Sequence, residues 1–256
     1  MDIVIIGSGN VAAILGRKFN AAGHKINQIV SRNAAAANEL AYEFGSESAN
    51  YMTLIQKNAD LYLLAVSDTA IATIAADLRL PGKVVAHTAA SVAKEALKPI
   101  TEHYGVFYPL QTLRKEMKEP PETPIYFDGV DEFTVKKLQE LAHSISYQEP
   151  VAATDDQRLK LHVAAVVVNN FVNHLFTLVE EYCRKEGIAF KQLLPLIQET
   201  VARIYDTPPQ KAQTGPAIRH DKETLQKHLD ILNDHPQLKN IYLLMTDSIQ
   251  SNTPGH

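Results

Sequence analysis

Small residues near the start of the chain could bring a phosphate group close to the backbone. Gly7 and Gly9 follow an apolar run, and Ala12 completes the pattern G-x-G-x-x-A. Gly7 can adopt the positive φ of a sharp turn, and Gly9 has no Cβ to hinder a pyrophosphate. A helix that begins here would direct free N–H groups toward the phosphates. The pattern predicts a dinucleotide contact from Gly7, Ser8, Gly9, Asn10 and Val11.

The residues after the second predicted strand indicate which dinucleotide is bound. NAD-selective sites carry an Asp or Glu there, about 20 residues past the glycine motif, to bind the ribose 2′-hydroxyl. This chain has Ser31, Arg32 and Asn33 instead, and its next acid is Glu39. A guanidinium forms charge-assisted hydrogen bonds with a phosphate. We therefore expect NADP, with these three residues around its 2′-phosphate; the alternative is that Arg32 is a solvated loop arginine.

A histidine and two asparagines on a long helical pattern, residues 159–185, are candidates for the reaction itself. His162 and Asn169 stand at positions i and i+7, which lie within about 20° of each other on an α-helix, and Asn173 lies about 40° further round. An imidazole titrates near neutral pH and can donate the proton that accompanies hydride delivery to a C=O or C=N group. We expect His162 and Asn169 to be catalytic and Asn173 to bind substrate; the alternative is a hydrogen-bonded core histidine.

The elements that must position these groups alternate between strand and helix over residues 1–150. Strand-like apolar runs cover residues 3–6, 25–30, 60–66, 83–87, 104–108 and 125–127, and helical patterns cover 34–44, 70–78 and 133–142. The alternation predicts an α/β fold with a doubly wound, mainly parallel Rossmann sheet. In the last of these helices, the residues expected to face inward are Phe133, Leu138, Leu141 and Ala142.

Loops that follow the predicted strands hold further polar groups. In an open parallel sheet, ligands bind beyond the carboxyl ends of the strands. Asp68 could contact the ligand there or only cap the helix that follows, with Thr69 beside it. The cofactor contacts expected from these loops are Val66, Ser67, Asp68 and Thr88, and the substrate contacts are Pro109 and Gln111.

From Thr154 onward, the residue pattern predicts helices only. Helical patterns cover residues 159–185, 190–205, 221–232 and 236–249, and Gly187 ends the first of them. We place a domain boundary near Pro150, which gives an NADP-binding Rossmann domain (1–150) and a helical domain for substrate binding and dimerisation (151–256). Arg219 could bind a substrate carboxylate; alternatively, it ties together a helix start at which Asp221 is the N-cap.

Composition limits the classes of partner. The 256 residues carry a net charge of −4 and a single cysteine, so nucleic acid is not an expected partner and an intrachain disulfide is excluded. The histidine spacing matches no metal motif, and no metal is expected. The first strand begins too early for a signal peptide, and the longest apolar run, residues 163–168, is far shorter than the ~20 residues of a membrane span. We expect a cytoplasmic protein that is not attached to a membrane.

Two later segments resemble the paired signatures of a known family. Residues 104–112 (YGVFYPLQT) and 214–221 (TGPAIRHD) are similar to those of bacterial proteins that combine a Rossmann-like domain with a helical domain of unknown function, DUF2520. Those proteins are described as NADP oxidoreductases. The N-terminal half is also similar to F420-dependent NADP oxidoreductase and pyrroline-5-carboxylate reductase. One departure is that Ala89-Ala90 stands where the family's loop typically ends in Ser-Gly.

The expected function is hydride transfer between NADP and a small carbonyl or imine substrate held between the two domains. A homodimer sealed by the helical domain is also expected, because the helix that carries residues 163–168 is too apolar to be covered by its own domain alone. One alternative is a non-catalytic NADP-binding or redox-sensing protein. A further alternative pairs NADP with a deazaflavin such as F420.

Overall fold

An eight-stranded sheet organises the N-terminal part of the protein in the computed structural model, which describes residues 1–252. The strands lie in the order β3-β2-β1-β4-β5-β6-β7-β8, and all neighbours are parallel except β6 and β7. Their bounds are β1 Asp2–Ile6, β2 Lys25–Val30, β3 Glu47–Ala49, β4 Leu61–Leu64, β5 Val84–His87, β6 His103–Pro109, β7 Ile125–Gly129 and β8 Val151–Ala152. The predicted α/β fold with a mainly parallel, doubly wound sheet is confirmed.

Helices cover both faces of this sheet, as the continuous burial of its central strands requires. One face packs against α1 (Asn10–Ala21), α2 (Ala34–Phe44) and α4 (Glu132–Ile145), and the other against α3 (Asp68–Asp77). The order of the strands reverses between β1 and β4, which both pair in parallel with their neighbours. That reversal is the switch point at which an open α/β sheet binds its ligand.

Several local expectations need correction. Phe133 is 54% exposed and not inward-facing, whereas Leu138, Leu141 and Ala142 are buried as expected. Its ring instead contacts His103 edge-on, with the centroids 5.1 Å apart. The helix expected at 70–78 begins earlier, at Asp68. Strands β3 and β8 were not predicted because each is too short to show alternation.

The described chain divides into two compact units, Met1–Ala165 and residues 166–252. The first unit ends with α5 (Asp155–Ala165), and a π-helical segment, Val166–Phe171, follows. The described part of the second unit then contains α6 (Val172–Lys185), α7 (Leu194–Asp206), α8 (Pro209–Ala212), α9 (Lys222–Ile231) and α10 (Pro236–Ser251). Cys183 is buried, and Gly187 ends α6 with a φ of 71°. Residues 253–256 of the predicted helical domain lie outside the described residues.

The helical segment Asp155–Lys185 could cross a membrane if length and composition alone are considered. An 18-residue window in it has a mean hydropathy of 1.4 and is 6% buried. Unbroken apolar runs gave no sign of this segment, because polar residues interrupt it. Core helices of soluble proteins meet the same two criteria, so the finding is weak evidence for a membrane span.

Candidate active site

The parallel pairing of the strands brings the predicted cofactor residues to one edge of the sheet. The strands β1, β2, β4 and β5 all run in the same direction, so the loops that begin after Ile6, Val30, Leu64 and His87 meet at their carboxyl ends. Strand β6 ends at this edge as well, at Pro109. The edge therefore carries the glycine turn and the loops that begin at residues 31, 65, 88 and 110.

The backbone of the glycine turn leaves room for a phosphate. Gly7 has a φ of 123°, and a Cβ there would lie 2.1 Å from the carbonyl oxygen of Ala65. A Cβ on Gly9 would meet nothing within 4 Å. Gly9 is also the N-cap residue of α1, and no side chain caps the first turn of that helix in the described chain. The open space and the uncapped helix amides fit the pyrophosphate of a dinucleotide.

Two of the three residues expected around a 2′-phosphate form side-chain hydrogen bonds within the protein. Ser8 Oγ donates a hydrogen bond to Ser31 Oγ at 2.8 Å, which joins the glycine turn to the end of β2. The side chain of Asn33 caps α2 by accepting a hydrogen bond from the backbone N–H of Ala36. Arg32 is exposed, and within residues 1–252 it has no ion-pair partner. Its guanidinium is therefore available to an anion.

Asp68 does not cap the helix that follows it. It is the first residue of α3, whose N-cap is Ser67, and its carboxylate accepts a hydrogen bond from Ser91 Oγ. This bond joins the loops after β4 and β5. Thr88 belongs to the second of these loops, and its N–H donates to the carbonyl oxygen of Leu64 at 3.1 Å. Thr88 is buried, with its hydroxyl turned to the same carbonyl at 3.5 Å.

Tyr108 and His162 form a direct side-chain contact in the first unit. Tyr108 Oη lies 3.1 Å from His162 Nδ1, and the two rings are nearly perpendicular. Burial raises the pKa of Tyr108, although the charge of Arg158 opposes this shift. The phenol therefore stays protonated at neutral pH. A protonated phenol beside an imidazole can deliver a proton and be reprotonated.

The side chain of Arg158 holds the loop after β5 in place through hydrogen bonds to its backbone. Its guanidinium is 1% exposed, Nε donates to the carbonyl oxygen of Ala90 at 3.1 Å, and Nη2 donates to that of Val92 at 2.6 Å. Nη2 also pairs with Asp155 Oδ1 at 2.6 Å. Arg158 and His162 are four residues apart on α5 and therefore lie on the same face. One face of α5 thus holds the loop and contacts Tyr108.

The remaining predicted site residues are divided between the two units of the chain. Gln111 is engaged locally, because Nε2 donates to the carbonyl oxygen of Glu122 and Oε1 accepts from Thr112 N–H. Asn169, Asn173 and Arg219 belong to the second unit. Asp221 caps α9 by accepting a hydrogen bond from the N–H of Thr224, as the alternative interpretation of this segment has it. Asn169 shares the face of His162 only if the helix turns 100° per residue, and the π-helical residues 166–171 do not follow that turn.

The sequence-based site omitted Tyr108 and Arg158. Tyr108 directly precedes the predicted Pro109, and Arg158 stands one helical turn before His162. The i, i+4 spacing of Arg158 and His162 was a usable signal, because it places both on one helix face. The contact with Tyr108 had no local signal, since it joins residues 54 positions apart.

The sheet order and the glycine turn define a Rossmann-type dinucleotide-binding protein. Residues 2–91 match the family "NADP oxidoreductase coenzyme F420-dependent", and residues 123–249 match DUF2520, a domain of unknown function. None of the curated proteins matches the chain in sequence.

Solved structures with the same fold cover nearly the whole chain. A provisionally named NADP oxidoreductase of Bacteroides fragilis is 33% identical, with a TM-score of 0.89 and coverage of 98% of both chains. A protein of Thermotoga maritima is 21% identical, with a TM-score of 0.77 and coverage of 98% of this chain and 100% of that one. A reductive aminase from Aspergillus terreus, in complex with NADPH and ethyl-5-oxohexanoate, is 17% identical, with a TM-score of 0.72 and coverage of 100% and 96%. The last two likenesses show a shared fold alone.

The chain therefore belongs to the family of NADP oxidoreductases that combine a Rossmann-like domain with a DUF2520 domain. The predictions of this family, of NADP as the cofactor and of an oxidoreductase are confirmed.

An added methyl group should reduce stability at Gly7 and NADPH binding at Gly9. Gly7→Ala should destabilise the protein by about 3 kcal/mol, because its Cβ collides with a carbonyl and its φ is unfavourable. Gly9→Ala should keep the wild-type melting temperature and weaken NADPH binding at least about tenfold, because the methyl fills the phosphate space. Thermal unfolding and NADPH titration measure both effects.

Gly23→Ala, at a positive φ with open space around it, is the control for backbone strain alone. Wild-type NADPH affinity in Gly9→Ala would contradict the assignment.

Because His87 is buried, we expect the protein to lose stability in mild acid. Burial, followed by the charge of Arg158, lowers its pKa from 6.5 to about 4. Stability that depends on the neutral imidazole is complete above pH 6.5 and decreases as the pH falls toward 4, by about 3 kcal/mol in total. Urea unfolding of wild type and His87→Asn between pH 7 and 4 should show that slope in wild type only. The exposed-site variant His174→Asn should behave as wild type, and equal slopes in wild type and His87→Asn would refute the argument.

Proposed function

We propose that the protein reduces a small carbonyl or imine compound with NADPH at the carboxyl edge of the sheet, beside Tyr108 and His162. The contact between Tyr108 Oη and His162 Nδ1 at 3.1 Å carries this proposal. Reduction of C=O or C=N adds a hydride to carbon and a proton to the heteroatom. Bound NADPH supplies the hydride, and a protein group must supply the proton.

Tyr108 is the proton donor in this proposal, and His162 holds its hydroxyl in place. With a proton on Nδ1, His162 donates to Tyr108 Oη and leaves the phenolic hydrogen free for the substrate heteroatom. After transfer, the Nδ1 proton passes to the phenolate while Nε2 of His162 takes up a proton from solvent, so the imidazole stays neutral. The raised pKa of Tyr108 keeps the donor loaded at neutral pH. His162 thus keeps its predicted catalytic role, now with Tyr108.

The cofactor is held in this proposal by the residues of the edge. Gly7, Gly9 and the amides of Asn10 and Val11 would hold the pyrophosphate, and residues 31–33 would hold the 2′-phosphate. The ribose and nicotinamide would be bordered by Val66, Ser67, Asp68 and Thr88. The fixed loop at residues 88–92, which Arg158 holds, gives that border a defined shape.

The substrate contacts predicted from sequence stay proposals. Pro109 ends β6 next to Tyr108 and is placed to border the substrate. For Gln111 we expect an indirect role, since its amide holds the loop that follows. Asn169, as a further polarising group, and Asn173 and Arg219, as substrate contacts, are retained as hypotheses for separate alanine variants.

A second copy of this chain is the partner that we propose for the helical unit. Large apolar side chains of this unit are exposed, among them Val168 (70%), Leu196 (65%) and Leu244 (71%). Such exposure is typical of an interface rather than of a free surface. Burial in a homodimer also accounts for the apolar segment Asp155–Lys185 in a cytoplasmic protein, without a membrane.

Removal of the Tyr108 hydroxyl tests the reaction. Tyr108→Phe should lower kcat about 100-fold with small carbonyl and imine substrates and leave NADPH affinity unchanged, because only the proton donor is lost. His162→Ala should also lower kcat. The matched control is Tyr126→Phe, on the strand partner of Tyr108. NADPH oxidation in a panel of aldehydes, ketones and imines is the measurement.

Unchanged kcat in Tyr108→Phe would refute the proposed donor. Tight NADPH binding without turnover on any substrate, together with cofactor-dependent partner binding, would favour the non-catalytic, redox-sensing alternative.

The dimer predicts a solution mass of twice the 28.4 kDa chain. Leu244→Asp should halve that mass, because a charge at an apolar interface must be desolvated. Light scattering after size-exclusion chromatography is the measurement. Tyr42→Asp, at a 91% exposed aromatic of the first unit, should stay dimeric. A monomeric wild-type protein would contradict the proposal.

A further inference from the structure

The loop between β6 and β7, residues 110–124, reaches across to the glycine turn. Its base is closed by a hydrogen bond from Leu110 N–H to the carbonyl oxygen of Pro124 at 2.9 Å. At its far end, Lys115 N–H donates to Asn10 Oδ1 at 3.1 Å. Asn10 is the first residue of α1, where we place the pyrophosphate. This β6–β7 loop therefore lies against the dinucleotide site.

Arg17 fixes the loop in that position. Its Nη1 donates to the carbonyl oxygens of Lys115 and Met117 at 2.6 and 3.0 Å. Its Nε and Nη2 form a bidentate pair with the two carboxylate oxygens of Glu43. Because Arg17 is neutralised by Glu43 and engaged by two carbonyls, it has little capacity left for an anion. It positions Lys115 instead.

A cavity of about 130 Å³ lies between Lys115, Ser8 and the start of α2. Whole cofactor pockets have volumes of about 300–1,000 Å³, so this cavity suits one substituent and not a nucleotide. Ser8 connects it to the 2′-phosphate residues, since its hydroxyl bonds to Ser31.

The charges that line this cavity require a cation if an anion is to enter. Glu39 and Glu116 border it, and both oppose a phosphate. Arg17 also borders it but is already paired with Glu43. Lys115 is exposed, and its ammonium has no ion-pair partner among residues 1–252. Lys115 is therefore the cation available to offset these two acids.

We propose that Lys115 is the second cation of the 2′-phosphate site, opposite Arg32, and that the β6–β7 loop makes the protein selective for NADPH over NADH. This inference rests on the 2′-phosphate position proposed at residues 31–33. A lysine from this loop acts as a compact point charge beside the planar guanidinium of Arg32. The selectivity is then a property of two segments that lie far apart in the chain.

Titration of the full-length protein with NADPH and with NADH tests this inference. Lys115→Met should raise the Kd for NADPH about tenfold and change that for NADH by less than about twofold, because only NADPH carries the phosphate. Lys118→Met is the matched control, since Lys118 lies on the same loop but does not border the small cavity, and it should leave both constants unchanged.

Arg32→Met separates this inference from the proposed function. Loss of NADPH selectivity in Arg32→Met but not in Lys115→Met would overturn the role of Lys115 and leave the 2′-phosphate site at residues 31–33 intact. Equal weakening of NADPH and NADH in Lys115→Met would also overturn it, as would a wild-type protein that binds both cofactors equally.

Discussion

The geometry of the candidate active site depends on one buried charge. The guanidinium of Arg158 is taken out of water, and a charge in that position is tolerated only when it is paired and hydrogen-bonded. Asp155 supplies the paired charge, and the carbonyls of Ala90 and Val92 accept two further bonds. The requirement to satisfy Arg158 therefore fixes the loop after β5 against α5.

The position of His162 follows from the same constraint. Because Arg158 lies one turn earlier on α5, anchoring it also sets the rotation of the helix and turns His162 toward Tyr108. The charge of Arg158 acts on its neighbours as well, since it contributes to the low pKa of His87 and opposes the raised pKa of Tyr108. The proton chemistry that we propose thus has a structural origin in an arginine that does not itself contact the reaction.

The parts of the fold that local sequence patterns mark could be predicted, and the parts that depend on other segments could not. Strand β2 and helix α2 have the predicted bounds because their burial patterns are simple and their ends are marked by turn residues and by an N-cap asparagine. Phe133 was misplaced because helical periodicity does not specify which apolar residue is covered by a neighbouring element. By its sequence position Asp68 is a potential helix cap, but its carboxylate bonds to Ser91 because the loops after β4 and β5 become neighbours when these two strands pair. The π-helical turn at 166–171 has no signature that an α-helical period can detect.

The sequence by itself determined the nucleotide-binding turn, the class of cofactor and the alternation that leads to a parallel sheet. These features are local: a glycine that needs a positive φ, a strand end without an acid and a repeating apolar pattern are all contained in short segments. Only the tertiary structure decided the partners of Tyr108, the burial of Arg158 and the approach of the β6–β7 loop to α1. The physical reason is that each of these contacts joins segments distant in sequence, and the energy of a buried charge or a long-range hydrogen bond depends on surroundings that no single segment contains.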